Sequence, residues 1–253
     1  MKIVVITQAR SGSTRLPNKV LKKIKGKSLL QIHINRIKKA KLVDEIYIAT
    51  TLNDKDTVIE ELAKELKVKY YRGSENDVLD RFYQTVKNDK PDLIVRLTSD
   101  CPLIDPLLID EVIEKAVALD VDYYSNGLVE LYPDGQDIEV FKFKALEAAW
   151  KDAKLTSERE HVTPYIKNNS TFLGKTKFTS ENHSIDFNYN NVRLTVDEPE
   201  DFKVIEKIIE ELGTDKSWKI YADFYLKNKE VLNLNSNIIR NEGYLKSLKQ
   251  DKK

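Results

Sequence analysis

Short apolar runs alternate with longer amphipathic segments along the first 120 residues. Apolar runs of strand length occupy residues 3–8, 44–50, 68–71 and 92–98. Apolar residues at helical spacing indicate helices at residues 28–40, 54–66, 76–86 and 106–119. Strands without an alternating polar face are typical of a parallel sheet covered on both sides. The alternation predicts a Rossmann-like, doubly wound, mostly parallel α/β sheet, with ligands at the carboxyl ends of the strands.

The pattern changes after residue 119. Strands are predicted at residues 122–125, 138–143, 172–178 and 192–196, and helices at 144–153, 157–168 and 200–212. No linker rich in Gly, Pro or Ser divides the chain, so we predict one domain over residues 1–212. Within it, residues 122–190 are predicted to form a small α+β insertion over the active edge of the sheet. Residues 213–253 are predicted to be a helical C-terminal extension packed on the same domain.

Composition narrows the class of protein. The 253 residues are 41% hydrophobic and 33% charged, and no apolar run approaches the roughly 18 residues of a membrane span. The first ten residues are interpreted as a strand, because their apolar part is too short for a signal peptide. A single cysteine, Cys101, excludes an internal disulfide and a multi-cysteine metal site. We expect a cytoplasmic protein with no membrane partner.

The net charge is only +1, but the cations are unevenly distributed. Residues 1–43 contain twelve Lys and Arg residues and no Asp or Glu. Such a segment favours a polyanionic ligand, which could be a nucleotide phosphate, a nucleic acid or an acidic surface. The alternative is that acidic residues from elsewhere in the chain fold against the lysines beyond Lys19.

The loop after the first predicted strand, QARSGSTRLPNK, covers residues 8–19. Its small residues let backbone N–H groups approach an anion, while Arg10, Arg15 and Lys19 supply cations for a triphosphate. A dinucleotide-binding turn would need three glycines, and a P-loop would need a glycine at Leu21. A basic surface turn is the alternative. The predicted nucleotide-binding residues here are Gln8, Ala9, Arg10, Ser11, Gly12, Ser13, Thr14 and Lys19.

Eight motifs in order resemble one family along nearly the whole chain. They are QARSGSTRLPNKVL (8–21), YRGSENDVLDRF (71–82), DCPLIDP (100–106), DYYSN (122–126), DIEVF (137–141), SEREHVTPYI (157–166), RLTVDEPEDF (193–202) and IRNEGYLKSL (239–248). Together they resemble the sugar cytidylyltransferases, in particular the spore coat polysaccharide biosynthesis protein SpsF group, which is related to the CMP-sialate and CMP-Kdo synthetases. The resemblance implies a fold of the nucleotide-diphospho-sugar transferase type.

The resemblance also implies roles for particular residues. Asp100 and Asp197 would bind Mg²⁺ on the phosphates of CTP, and the catalytic residues would be Arg10, Arg15, Lys19 and Asp100. Mg²⁺ keeps several waters, so one or two carboxylates with phosphate oxygens complete its shell. Arg72, Gly73 and Ser74 would help to hold the base. Two positions depart from the family pattern, namely Asn18 and Ser99; Asn tolerates the left-handed conformation that Gly usually provides.

A repeated phrase contains both predicted metal ligands. VRLTSDCP at residues 95–102 and VRLTVDEP at 192–199 are identical at six of eight positions. We interpret each copy as the delivery of one carboxylate to the same metal-bound triphosphate. For Asp197 the alternative is a helix cap, because Pro199 and acidic residues follow it. Asp105 is interpreted as a cap and Cys101 as a small buried side chain.

Polar residues in the insertion are candidates for contacts with the acceptor. Arg159 could bind a sugar carboxylate and His161 could orient a hydroxyl, whereas a capping box of Ser157 and Glu160 is the structural alternative. Three further candidates for binding the acceptor are Gln136, Asp137 and Glu139.

These observations support three hypotheses for the function. The first is transfer of CMP from CTP to a nonulosonate-like sugar acid, with release of pyrophosphate, for surface polysaccharide or glycan biosynthesis. The second keeps CTP but uses a phosphorylated sugar, polyol or phosphonate, which gives a CDP-linked product. The third is a non-enzymatic nucleotide- or nucleic-acid-binding protein. We expect no nucleic-acid partner, because the aromatic–basic interleaving of RNA-binding surfaces is absent from the sequence. The related synthetases favour a homodimer.

Overall fold

Parallel strands built from the apolar runs form the centre of the molecule. The structure, a computed structural model, describes residues 1–252. Its strands are β1 (Ile3–Gln8), β2 (Lys23–Ile24), β3 (Lys27–Ser28), β4 (Glu45–Thr51), β5 (Lys69–Gly73), β6 (Leu93–Thr98), β7 (Tyr123–Ser125), β8 (Glu139–Lys142) and β9 (Ser180–Asn182). Seven of them form one sheet in the order β5-β4-β1-β6-β8-β7-β9, in which only β8 is antiparallel to its neighbours. The short strands β2 and β3 form a separate hairpin.

Helices cover both faces of this sheet. They are α1 (Leu29–Ile37), α2 (Thr57–Glu65), α3 (Val78–Val86), α4 (Pro106–Leu119), α5 (Phe143–Asp152), α6 (Thr156–His161), α7 (Pro164–Asn168), α8 (Pro199–Leu212), α9 (Trp218–Lys227), α10 (Lys229–Asn235) and α11 (Glu242–Gln250). Val5 of β1 faces a core shared with α1, α2 and α4, while Val4 and Ile6 face a core shared with α3 and α5. The two cores confirm the predicted doubly wound fold.

Segment 122–190 and the C-terminal extension are joined closely to this sheet. The strands β7, β8 and β9 of the segment extend the central sheet. A third core joins α8, α9 and α10 to residues of the loop that follows β1 and to residues 192–196. Helix α11 contributes no residue to this third core and packs against α6 instead. No helix within residues 1–252 is long and apolar enough to cross a membrane.

Three predicted elements are wrong. Residues 192–196 are extended and buried, but Arg193 forms only an isolated bridge with Asp134 and no ladder. Residues 172–178 contain the end of a 3-10 turn and an isolated bridge at Phe178, and β9 follows them. The predicted helix 157–168 is two helices, because Val162 adopts a positive φ of 73° directly before Thr163-Pro164. Pro164 has no backbone N–H to extend the first helix, and it is the first residue of the second helix.

Candidate active site

The ends of β1 and β6 bring two predicted motifs to one edge of the sheet. The strands are parallel neighbours, and Gln8 lies opposite Thr98 in the register. Ser99 donates a hydrogen bond through Oγ to the carbonyl of Gln8, at 2.6 Å. Asp100 therefore begins beside the loop that follows β1. Ser99, one of the departures from the family pattern, ties the two strand ends together.

The loop after β1 folds back on itself. The carbonyl of Ser11 accepts hydrogen bonds from the N–H groups of Ser13 and Asn18, at 2.9 and 3.0 Å. Asn18 adopts the left-handed conformation, with φ of 55°, as its tolerance of that region predicts. Leu16 and Val20 are buried and anchor the loop. This fold brings Lys19 back to the edge where the loop started.

Lys19 lies between the two predicted metal ligands. Its Nζ donates to Oδ2 of Asp100 and to Oδ1 of Asp197, at 2.7 Å in each case. The backbone N–H of Val196 donates to the carbonyl of Asp100 at 2.9 Å, which holds the two acidic segments side by side. Asp100 and Asp197 are 81 and 178 positions away from Lys19 along the chain, and both bond to its ammonium group.

The charges of this group stabilise one another. Burial favours neutral forms, but Asp100 and Asp197 together raise the pKa of Lys19 above its usual value. Burial likewise opposes the charge of Asp100, but the nearby Lys19 ammonium lowers the pKa of this carboxyl below its usual value. The lysine is therefore an ammonium and Asp100 is a carboxylate at neutral pH.

Arg15 adds a second cation to the same edge. Its guanidinium lies 3.0 Å from Asp197, 3.1 Å from Glu198 and 3.2 Å from Glu242. Glu242 is the first residue of α11, so the C-terminal helix reaches the loop after β1. We call Arg15, Lys19, Asp100 and Asp197 the phosphate edge.

The phosphate edge fits a magnesium ion that is completed by substrate. The Asp100 and Asp197 oxygens each lie 2.7 Å from one Lys19 atom, so they are separated by at most twice that distance. Carboxylate oxygens are ligands that Mg²⁺ prefers, and both would be available to one cation once Lys19 moves aside. Residues 1–252 contain no group of three or more His, Cys, Asp or Glu residues placed to hold a metal ion. Phosphate oxygens and water would have to supply the remaining ligands.

The alternative reading of Asp197 as a helix cap is wrong. Glu198 occupies the N-cap position of α8, which begins at Pro199. Asp201, in the first turn of that helix, accepts hydrogen bonds from the N–H groups of Asp197 and Glu198, at 2.9 and 3.0 Å. The Asp197 side chain is thereby left to face Lys19 and Arg15. Asp105 caps α4 as predicted, since its side chain accepts from the N–H of Leu107 at 2.9 Å.

Sequence reasoning missed Arg193, which organises the acidic side of the phosphate edge. Its guanidinium pairs with Asp201 at 2.8 Å and Asp134 at 2.6 Å, and it lies 3.4 Å from Asp197. The repeated phrase could have identified this arginine, because both copies carry Arg four residues before the aspartate. The equivalent Arg96 pairs with Glu139.

Cys101 is buried, as its interpretation as a small buried side chain requires, and some lysines of residues 1–43 bond within the chain. Cys101 is buried, and burial raises the pKa of its thiol, so it is a small neutral side chain. Beyond Lys19, Lys25 bonds to carbonyls at the end of α8, Lys38 bonds to the carbonyl of Leu66, and Lys39 pairs with Asp215. Of these three lysines, only Lys39 has the acidic partner that the alternative proposes, while Lys25 and Lys38 bond to backbone carbonyls.

The residues predicted near the base lie at the end of β5 and directly after it. Arg72 donates to the carbonyls of Thr51 and Asn53, at 2.9 Å each, and pairs with Glu60 at 3.1 Å. Its guanidinium is occupied by the fold. Gly73 and Ser74 continue toward the site, where Glu75 pairs with Arg10 at 3.0 Å. A Cβ on Gly12 would lie 3.4 Å from Glu75, so the loops after β1 and β5 are neighbours.

The candidates for acceptor binding in segment 136–139 are mostly buried. Gln136 accepts from the N–H of Asp105 and donates to the carbonyl of Leu103, at 3.0 Å in both cases, and it is fully buried. Glu139 accepts from the Tyr123 hydroxyl at 2.7 Å and pairs with Arg96. Asp137 is more exposed and pairs with Arg240 at 2.7 Å.

The candidates in α6 contact other helices. Arg159 pairs through two nitrogens with Asp77, the N-cap of α3, and donates to the carbonyl of Trp150 at 2.8 Å. His161 lies 3.1 Å from Oγ of Ser247 in α11. Burial, with the nearby Arg96, lowers the pKa of His161 to about 4, so its ring is neutral at neutral pH.

The predicted capping box of Ser157 and Glu160 is wrong. The N-cap of α6 is Leu155, two residues earlier than predicted. The side chain of Glu158, three residues after this cap, accepts hydrogen bonds from the N–H groups of Lys154 and Leu155, at 3.0 and 3.1 Å. Ser157 is instead buried, and its N–H donates to Asp251 from beyond α11. The helix begins earlier because Glu158, rather than Glu160, is the residue in reach of its first turn.

Comparison with known proteins gives a consistent result. Residues 4–238 match the family described as cytidylyltransferase. The uncharacterized protein MJ1063 of Methanocaldococcus jannaschii is 42% identical over 247 residues, covering 96% of this chain and 98% of that protein. The spore coat polysaccharide biosynthesis protein SpsF of Bacillus subtilis is 33% identical over 221 residues, covering 83% of this chain and 88% of that protein.

An enzyme with a named substrate and a solved structure are also similar. The 8-amino-3,8-dideoxy-manno-octulosonate cytidylyltransferase of Shewanella frigidimarina is 34% identical over 180 residues, covering 69% of this chain and 68% of that protein. The structure of a cytidylyltransferase from Leptospira borgpetersenii superposes with a TM-score of 0.87 at 31% identity. It covers 95% of this chain and 100% of that one.

Proposed function

Because this chain belongs to the cytidylyltransferase family, we propose that it transfers CMP from CTP to a nonulosonate-like sugar acid, with release of pyrophosphate. The product would serve surface polysaccharide or glycan biosynthesis. Two similar proteins support this proposal, one for the biosynthetic role and the other for the acceptor. One is named for spore coat polysaccharide biosynthesis, and the other is named as a cytidylyltransferase for an octulosonate, which is a sugar acid.

The observation that carries the proposal is the convergence of Asp100 and Asp197 on Lys19. Two carboxylates from distant parts of the chain meet beside two cations at the carboxyl edge of a parallel sheet. We propose that Asp100 and Asp197 hold Mg²⁺, which neutralises the charge of the triphosphate when it is bound. Lys19 would then leave the carboxylates and bind a phosphate oxygen.

The chain's own residues would perform the transfer by positioning and by charge. An oxygen of the acceptor attacks the α-phosphorus of CTP, and the bond from this phosphorus to the pyrophosphate oxygen breaks. Lys19 and Arg15 stabilise the negative charge that develops on the departing pyrophosphate. No protein nucleophile is needed, which agrees with the neutral, buried thiol of Cys101.

The acceptor site would lie between the phosphate edge and α11. Asp137 and His161 are partly exposed and bond to Arg240 and Ser247 of the C-terminal extension. Arg159 is about as exposed as His161, but its guanidinium is paired with Asp77. The neutral His161 ring could exchange its bond with Ser247 for one with a sugar hydroxyl. In this proposal Gln136, Glu139 and Arg159 contribute by holding the surrounding segments in place.

A screen of acceptors tests the proposal. The protein is incubated with CTP, Mg²⁺ and one candidate at a time, and pyrophosphate release is measured. We expect release with a nonulosonate-like sugar acid and little with the same sugar lacking its carboxylate. Release only with phosphorylated sugars, polyols or phosphonates would favour the CDP-linked alternative. If CTP binds but no acceptor releases pyrophosphate, a non-enzymatic nucleotide-binding role is favoured.

A further inference from the structure

A buried histidine bonds to the turn that carries Asp100. His33 is in α1, and its side chain is fully buried. Its Nδ1 lies 2.8 Å from the carbonyl oxygen of Cys101, which is the residue after Asp100. Its Nε2 lies 3.1 Å from the hydroxyl of Thr7, near the end of β1. The ring therefore joins α1 both to the central strand of the site and to the turn after β6.

The two partners determine where the ring carries its proton. Burial lowers the pKa of His33 to about 4, so at neutral pH the ring is neutral and has one N–H. A carbonyl oxygen can only accept, so this proton lies on Nδ1 and is donated to Cys101. The Nε2 atom then accepts from the hydroxyl of Thr7. Both nitrogens are used inside the protein, so His33 does not act on a substrate directly.

Asp100 is tied to the core of the protein on both sides along the chain. Ser99, before it, donates its hydroxyl to the carbonyl of Gln8 in β1, at 2.6 Å. Cys101, after it, accepts from His33 in α1. Strand β1 is in the middle of the sheet, and α1 packs in the same core as one face of β1. Both bonds therefore hold the turn of Asp100 against buried elements.

These ties become more important in the proposed reaction, because Asp100 then gives up a side-chain partner. In the structure its carboxylate accepts from Lys19 at 2.7 Å, and the proposed function moves Lys19 to a phosphate oxygen. The N–H of Val196 donates to the Asp100 carbonyl at 2.9 Å and connects it to the segment of Asp197. That bond sets the spacing of the two carboxylates but not their place on the sheet. Their place depends on the ties to β1 and α1.

We propose that His33 is a positioning residue, whose bond to the Cys101 carbonyl places the Asp100 carboxylate for binding of the metal–triphosphate complex. This inference rests on the proposed function. Mg²⁺ demands nearly octahedral geometry, so a carboxylate that shares it with phosphate oxygens has little freedom. Loss of a partner that orients a metal ligand typically costs about 10- to 100-fold in metal affinity or activity. His33 acts only through the turn and contacts neither metal nor substrate.

Two substitutions of His33 separate its two bonds. The amide nitrogen of Asn is as far from Cβ along the side chain as Nδ1 is, so His33→Asn keeps a donor for the carbonyl of Cys101. The amide of Gln is as far from Cβ as Nε2 is, so His33→Gln keeps a partner for Thr7 but removes the donor to Cys101. Both variants should lower the melting temperature, because each loses one buried hydrogen bond and leaves space in the core.

Nucleotide binding without an acceptor tests the inference. CTP is titrated into each protein by calorimetry, once with Mg²⁺ and once with EDTA, and the ratio of the two affinities measures the contribution of the metal. His33→Gln should lower this ratio by about 10-fold or more, whereas His33→Asn should keep it close to that of the wild type. A change that only loosens the nucleotide site would weaken both affinities and leave the ratio unchanged.

Thr7→Val is the matched control. It removes the hydroxyl that donates to Nε2, so it also loses a buried hydrogen bond of the ring, but it leaves Nδ1 free to donate to Cys101. It should lower the melting temperature and keep the ratio. A folded His33→Gln protein with the wild-type ratio would overturn the inference. A folded His33→Asn or Thr7→Val protein whose ratio falls as far as that of His33→Gln would overturn it as well.

The protonation of the ring gives a test that needs no variant to fold. The chain has three histidines, so nitrogen NMR of the wild-type protein with isotopically labelled histidine gives few signals. His33 should be neutral, with its proton on Nδ1. A proton on Nε2 instead would overturn the inference, because Nδ1 could then not donate to Cys101. A wild-type protein that binds CTP no more tightly with Mg²⁺ would overturn the metal site of the proposed function, whatever the state of His33.

Discussion

Two groups of residues were predicted to be functional: the phosphate edge, and a group that we call the wall, which consists of Gln136, Glu139 and Arg159. The two groups make different kinds of contact in the folded protein. At the phosphate edge, Lys19 and Arg15 bond to carboxylates that are themselves predicted to bind ligand. In the wall, the polar side chains bond to backbone groups and to charged side chains that hold neighbouring elements together. Gln136 joins Asp105 to Leu103, and Arg159 joins the start of α3 to the end of α5.

The difference concerns what a ligand would have to displace. At the phosphate edge, a metal ion and a triphosphate can replace each internal ion pair with a new one of the same kind, so little is lost. In the wall, a ligand that took the amide of Gln136 would leave a buried N–H and a buried carbonyl unpaired, which costs about 1–3 kcal/mol for each group. Convergence of opposite charges at strand ends therefore indicates binding, whereas bonds to buried backbone indicate support.

The largest expected effect comes from neutralising one carboxylate of the phosphate edge. Asp100→Asn and Asp197→Asn should each lower Mg²⁺-dependent pyrophosphate release on the order of 100- to 1000-fold, because each removes charge that holds the metal against the triphosphate. Initial rates with CTP and a productive acceptor measure this effect. The melting temperature should change little, because Lys19 keeps one carboxylate partner in each variant.

The matched control is Asp105→Asn. Asp105 lies five residues from Asp100, and its two oxygens accept from the N–H groups of Leu107 and Trp218. Asp105→Asn therefore loses one bond that supports the fold and lowers the melting temperature, but it leaves every residue of the phosphate edge in place. This variant should keep the wild-type rate. An Asp197→Asn protein that releases pyrophosphate as fast as Asp105→Asn would contradict the assignment of Asp197 to the phosphate edge.

Local signals account for most of the fold that the sequence predicted. Helix α4 covers Pro106–Leu119 as predicted, because Asp105 and Pro106 mark its start and Asp120 ends it in the left-handed conformation. The alternation of apolar runs and helices likewise identified the strands that carry the phosphate edge. Residues 192–196 were misread as a strand, since an extended segment that buries Val192, Leu194 and Val196 against helices has the same alternation of apolar residues as a strand.

Bonding partners that are distant in sequence account for most of what was missed. Arg159 and Asp77 are 82 residues apart, and neither motif reveals the other as its partner. Arg193 was overlooked for the same reason, because its partner Asp134 lies 59 residues away. The spacing of residues in a sequence gives their order along an element, but it does not show which distant residues the fold pairs.

A smaller effect is expected from a wall residue. Gln136→Met should destabilise the protein by about 2–4 kcal/mol, because it leaves the N–H of Asp105 and the carbonyl of Leu103 buried without partners. Chemical unfolding measures this loss, and the KM for the acceptor should be unchanged in the folded protein. Gln84→Met, on a half-buried position of α3, is the control and should be near neutral. A raised KM for the acceptor without loss of stability would show instead that Gln136 contacts the acceptor.

The smallest effect is expected where α11 meets the phosphate edge. Glu242 shares Arg15 with Asp197 and Glu198, and a triphosphate that binds Arg15 has to displace it. Glu242→Gln removes this competing charge, so the KM for CTP should fall by about two- to fivefold, the range of an exposed ion pair. Glu242 also pairs with Lys246, so Lys246→Gln, which removes only that pair, should leave the KM unchanged. A KM for CTP that rises in Glu242→Gln would mean that the Arg15–Glu242 contact helps to assemble the site. The ion pairs of the phosphate edge could then not all be regarded as bonds that the ligand replaces.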